Sequence, residues 1–148
     1  MEREQAIAAL NHNLRAELSA VQVYSAHAEA ISEPAIAQGV QAILAVEHRH
    51  ARDLAARIRA LGGTPVEAGG TETVAGRALG AASAQASTAE MLRLELAEEQ
   101  QAIRDYASHI ADIMDDEETL DLLEEHLADE MQHARWLKAQ IRALERGG

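Results

Sequence analysis

Apolar residues return at helical spacing through four long segments of the chain, with polar residues filling the positions between them. The spacing predicts helices over about residues 3–31, 33–61, 88–114 and 116–146. Ser32 stands as N-cap of the second helix, Pro34 is tolerated in its first turn, and Gly62-Gly63 ends it after Leu61. Ser87-Thr88-Ala89-Glu90 has the form of a capping box and opens the third helix. Asp115 and Asp116 break the chain before the fourth, which Gly147-Gly148 stops.

Residues 62–87 have a different composition, rich in Gly, Ala, Ser and Thr, with a poor apolar pattern. A connector is expected there, holding no more than a short helical turn around Ala75 to Ala84. Helices of nearly thirty residues are about 40 Å long at 1.5 Å per residue. A connector of about 25 residues retraces that length at up to about 3.3 Å per residue. The second helix can therefore be followed by a parallel third. The expected architecture is all-α: a four-helix bundle of two antiparallel hairpins joined by one long crossover.

The apolar stripes are interrupted in a repeated way. Glu47 and His50 form an E-x-x-H among Ile43, Val46 and Leu54; Glu130 and His133 form another among Leu123, Leu127 and Leu137. About thirty residues before each lies E-x-x-A-x-x-x-Y: Glu17, Ala20 and Tyr24, then Glu99, Ala102 and Tyr106. Residues three apart share a helix face, so each Glu and His pair points the same way. Glu17 and Glu47 are equally far from the first turn at Ser32, and Glu99 and Glu130 nearly equally far from the second at Asp115. All four then stand roughly 22 Å from their turns, at one depth. Glutamates and histidines converging on apolar stripes carry a heavy desolvation cost unless something neutralises them. Two divalent ions would neutralise four carboxylates. Two glutamates plus an E-x-x-H from each of two further helices is the ligand set of a dinuclear metal site. Oxygen and imidazole ligands without thiolate suit iron or manganese.

Glu95 and Glu98 compete with Glu99 in the third helix, and Glu99 alone matches the depth of Glu17. Tyr24 and Tyr106, two turns beyond Glu17 and Glu99, face inward, either to hydrogen-bond a ligating carboxylate, to supply an electron, or simply to fill the core. His12, His27, His109 and His126 are expected at the surface or as neighbours of ligands, and Trp136 as packing.

Composition narrows the classes. The 148 residues fit one domain spanning 1–148, and the Ala- and Leu-rich chain without Phe suits closely packed helices. The absence of Cys removes disulfides, thiolate catalysis and zinc-finger chemistry. A net charge of −12 disfavours nucleic acid and favours cations, although most of these charges serve solubility. No segment is apolar enough to span a membrane, and the charged N-terminus, MEREQ, points to the cytoplasm.

The segments LNHNLRAELSAVQVY, VEHRHARDLAARIRALGGTP, EMLRLELAEE and DEMQHARWLKAQI resemble the four bundle helices of the bacterioferritin branch of the ferritin-like superfamily. The resemblance covers about residues 10–65 and 90–143. It implies a bundle of ferritin-like topology and a ferroxidase, in which two Fe(II) bind per chain and O2 or H2O2 oxidises them. Fe(III) would pass to a mineral core inside a homo-oligomeric, dimer-based cage. By position, Glu47 and Glu130 would bridge the metals, Glu17 and Glu99 would be terminal, and His50 and His133 would each cap one ion.

The chain departs from that branch in three places. It is read as a short form without the fifth helix. Ala42 and Val46 stand where the branch has the His and Asp of an inner-surface iron site. His48 stands where the branch has its haem methionine, so a pair of His48 side chains could ligate haem at a subunit interface, with Met131 as the weaker candidate. Two other functions compete with iron storage: a stand-alone di-iron peroxidase or oxidase of rubrerythrin type, and a helical scaffold with vestigial ligands.

Overall fold

Residues 2–147, described by the computed structural model, form five helices. They are α1 (Glu2–Ala30), α2 (Pro34–Ala60), α3 (Thr71–Ser83), α4 (Thr88–Asp112) and α5 (Glu117–Gly147). No strand occurs among the described residues. α1 packs with α2 and α4 with α5, each pair joined by a link too short for anything but an antiparallel hairpin. The hairpins meet through α1 with α4 and α2 with α5, which makes the four-helix bundle with a long crossover between α2 and α4.

Two expectations are corrected. The reading of a chain lacking a fifth helix does not stand, because five helices are present, and the one added to the bundle lies within the crossover. The short turn expected there is the 13-residue α3, which lies against α1. Gly76 and Gly80 make the close approach feasible: a Cβ on Gly76 would sit 2.6 Å from the Ser19 carbonyl oxygen, and one on Gly80 3.0 Å from that of Gln22. The weak apolar pattern of this segment hid the helix, since α3 packs with small residues.

The helix ends follow local chemistry. Glu33, not Ser32, is the N-cap of α2, at φ −76° and ψ 111°, because the residue before a proline is held extended. Ser87 caps α4 by accepting from the Glu90 N–H at 3.2 Å. α2 ends in a Schellman motif: the Gly62 N–H bonds the Arg59 carbonyl and the Gly63 N–H bonds the Ile58 carbonyl, both at 2.9 Å, with Gly62 at φ 85°. Asp116 accepts from the Thr119 N–H at the start of α5 and also pairs with Arg57 of α2 at 2.9 Å, which pins that end of the bundle.

Two apolar clusters fill the bundle. One, toward the α1–α2 turn, contains Val40, Ile43, Leu92 and Leu137; the other, toward the opposite end, contains Leu10, Leu14, Leu54, Ile58 and Leu123. Between them lies a buried polar layer of Glu17, Glu47, His50, Glu99 and Glu130.

Candidate metal centre

Each long helix delivers its part of that layer to one place. Glu17 comes from α1, Glu47 and His50 from α2, Glu99 from α4, and Glu130 and His133 from α5. They assemble into two tetrads that can each hold a metal ion, Glu17, Glu47, His50 and Glu130 in one, and Glu47, Glu99, Glu130 and His133 in the other. Within each tetrad the donor atoms all lie within 4.8 Å of one another. Glu47 and Glu130 belong to both. His50 Nδ1 is 3.5 Å from Glu17, 3.6 Å from Glu47 and 3.4 Å from Glu130. His133 Nδ1 is 3.4 Å from each of Glu47, Glu99 and Glu130.

The donor set fits metal ions. Glu17 Oε2, Glu47 Oε1, His50 Nδ1, Glu99 Oε2, Glu130 Oε1 and His133 Nδ1 are all buried atoms with no hydrogen-bond partner. Buried polar atoms almost always find a partner, so these six orphans are donors that cations could satisfy.

The ferritin-like domain pattern matches residues 7–147. This chain belongs to the ferritin-like family. Its fold resembles that of a ferritin-like di-iron-carboxylate protein of Bacillus anthracis, with a TM-score of 0.75 at 25% identity over 95% of this chain and 98% of that one. It also resembles a Rhodobacter capsulatus bacterioferritin with a metal-free dinuclear site and haem iron, at TM-score 0.77 and 25% identity over 97% and 87% of the two chains. A dodecameric thioferritin of Bacteroides fragilis, related to bacterioferritin, shares the fold at TM-score 0.81 and 23% identity over 97% and 88%. No curated protein matches the sequence.

In this ferritin-like bundle both tyrosines bond glutamates of the layer. The Tyr24 hydroxyl donates to Glu99 Oε1 at 2.6 Å and the Tyr106 hydroxyl to Glu17 Oε1 at 3.1 Å. Each bond runs from one hairpin to the other. Glu99 sits among the other five donors, whereas Glu95 is held away by His27, whose Nδ1 bonds Glu95 Oε2 at 2.6 Å and whose Nε2 bonds Ser83 Oγ at 2.7 Å. Glu98 lines a cavity of about 20 Å³ that opens between α1 and α4 beside Ala16, Ala20 and Ala102 and reaches Glu17, Glu47, Glu99 and Glu130.

Burial pushes the Glu47 and Glu130 carboxyls well above the usual carboxylate range, and the Glu17 carboxylate beside both pushes them further. Glu17 is lowered in spite of its burial, because Glu47 and His50 turn polar hydrogens toward it. His133 is raised to about 10 against its burial by the Glu47 and Glu99 carboxylates. Without cations Glu47, Glu130 and His133 therefore hold their protons to higher pH than the free side chains do.

The other histidines divide between the surface and the layer, and His27 lies in neither place. His12 is exposed and His109 half-buried. His27 is fully buried yet bonds no residue of the two tetrads, since its partners are Glu95 and Ser83. His126 is buried beside the layer, stacked on His50 with ring centres 3.8 Å apart and bonded to the Tyr106 hydroxyl at 3.0 Å. Burial and the neighbouring His50 lower His126 to about 4. Trp136 packs over Gly39. His48 is exposed and lines a groove of about 680 Å³ with Leu14, Leu18, Arg52 and Arg59; Met131 is exposed on α5.

One neighbour went unseen in the sequence. Asp129 Oδ2 accepts from His50 Nε2 at 2.9 Å and from Arg49 Nη2 at 2.7 Å. Its only sequence signal is comparative: an acid precedes the second E-x-x-H, and Val46 precedes the first.

Proposed function

We propose that this ferritin-like chain is a ferroxidase that takes two Fe(II) at the paired tetrads, oxidises them with O2 or H2O2, and passes Fe(III) to a mineral store. The observation that carries the reading is the sharing of Glu47 and Glu130 between two tetrads, each of whose residues presents one buried atom without a hydrogen-bond partner. Glu17 and Glu99 would each serve one ion as terminal ligands, and His50 and His133 would each cap one. With H2O2, two Fe(II) give up one electron each, and the peroxide takes two electrons and two protons to leave as two waters. The protein's own part is to hold and release protons. Glu47 and Glu130 lose theirs when cations arrive, and Tyr24 and Tyr106 keep Glu99 and Glu17 oriented as they do. Manganese suits the same donors.

A dimer-based homo-oligomeric cage in the cytoplasm goes with storage. Haem at a subunit interface rests on His48, set in a groove that offers apolar Leu14 and Leu18 and the cations Arg52 and Arg59. A Soret band lost in His48→Ala is the expected sign, and protein expressed with haem that shows no such band contradicts it.

Aerobic Fe(II) loading of purified protein, followed by sizing and iron counting, tests the storage function. Iron far above two per chain in a hollow oligomer is expected. Oxidation that stops at two per chain supports instead a rubrerythrin-type oxidase without a store.

A further inference from the structure

The two halves of the centre are copies of one pattern, and the copy fails at two positions. The sequence offset that carries Glu47 onto Glu130 and His50 onto His133 also carries Val46 onto Asp129 and Ile43 onto His126. The polar member of both unmatched pairs lies on α5, and both act on His50.

His50 is accordingly held on two sides. Its Nε2 donates to Asp129 Oδ2 at 2.9 Å, and Arg49 fixes Asp129 through a 2.7 Å ion pair. Its ring stacks on His126 with an interplanar angle of 18°, and its side chain is 0% exposed. Nδ1 is thereby left pointing at Glu17, Glu47 and Glu130. His133 points its Nδ1 at the other tetrad, but its Nε2 has no hydrogen-bond partner among the described residues, and its side chain is 11% exposed. Val46 and Ile43 stand where a carboxylate and a stacking ring would be needed.

We propose that the two metal positions are unequal, with the Glu17–His50 position a tight, resident site and the Glu99–His133 position an exchangeable one, and that Asp129 is the positioning residue that sets the difference. The proposal rests on the dinuclear reading above. A carboxylate that accepts the far N–H of a metal-bound histidine fixes the ring and raises its basicity; loss of such a partner costs roughly 10–100-fold in metal affinity. His50 has that partner and His133 does not. Metal exchange then takes place at one side of the centre, while the other side keeps the bundle's buried charges neutralised.

Anaerobic calorimetric titration of the full-length apo-protein with Co(II) reads the difference directly. Two steps at least about tenfold apart in Kd are expected in the wild type, as the loss of one outer partner implies. At one Co(II) per chain, anomalous scattering from crystals should place the ion at His50. Asp129→Ala should weaken the tight step by roughly 10–100-fold, and Val46→Asp, which supplies the missing carboxylate to His133, should tighten the weak step by a similar factor. Val46 is half-buried and makes no polar contact, so its variant keeps the test open if Asp129→Ala fails to fold. Two equal steps, the first ion at His133, or a gap that Val46→Asp leaves unchanged would overturn the inequality. No Co(II) uptake at all would overturn the dinuclear reading itself.

Discussion

Tyr24 on α1 and Glu99 on α4 are joined by a 2.6 Å hydrogen bond in the middle of the bundle. Burial and the nearby carboxylates of Glu99, Glu47 and Glu95 raise the phenol well above its ordinary value, so it stays a donor at any working pH. In Tyr24→Phe the Glu99 oxygen keeps its burial and loses its partner. Apo-protein should lose about 1–3 kcal/mol of stability, the cost of an unsatisfied buried acceptor. Denaturant unfolding measures it, and added Mn(II) should recover part of the loss by engaging Glu99 directly.

Glu47 and Glu130 stand in both tetrads, whereas Glu99 stands in one. Glu47→Ala should therefore lower the Co(II) capacity from two ions per chain to none, and Glu99→Ala from two to one. Anaerobic calorimetric titration counts the sites in each variant; a Glu47→Ala protein that still binds one ion per chain would mean that Glu47 is not shared.

Apo-protein should become less stable as pH rises above neutrality. Glu47 and Glu130 have folded-state values well above the ordinary one, and His133 is raised to about 10. Above pH 7 the unfolded chain's His133 has already lost its proton and the folded one still holds it, so stability falls with each step in pH toward about 10. His126, lowered to about 4, acts oppositely but only below its unfolded value of about 6.5. Bound Mn(II) displaces the protons in advance. Calorimetric melting from pH 7 to 8.5 should show the apo melting temperature dropping and the gap to the Mn(II) form widening. A gap that narrows would contradict the assignment.

Most of the centre was legible in the sequence because its geometry is helical and local. Glu47 with His50, and Glu130 with His133, needed only the period of a helix, and the matched distances from the two turns placed Glu17 and Glu99 at the same depth. What escaped was decided between helices. Asp129 reaches His50 on a neighbouring helix, which no spacing along α5 reveals. His27 and Glu95 found each other across α1 and α4, so a histidine read as lying at the surface or beside a ligand and an acid read as a rival of Glu99 are a buried pair. The helix at Thr71–Ser83 was missed because glycine contacts leave no apolar period to read.

Trp136 and Gly39 test the packing of α5 on α2. A Cβ on Gly39 would fall 2.1 Å from Trp136 Cζ2, deep inside contact distance. Gly39→Ala must push the indole aside and should cost about 1–3 kcal/mol, as overpacking does. Adding Trp136→Leu should restore part of it. Thermal unfolding of the two variants gives the comparison, and an unchanged Gly39→Ala melting temperature would show that the ring is free to move.

The dinuclear ferroxidase centre is tested most directly by stopped-flow oxidation of Fe(II), added in steps to apo-protein with O2 or H2O2 as the oxidant. The amplitude of the fast phase should rise linearly and break at two Fe(II) per chain, and the phase should vanish in the Glu47→Ala, Glu130→Ala double variant. A fast phase with no break at two, or one that survives in the double variant, would contradict it.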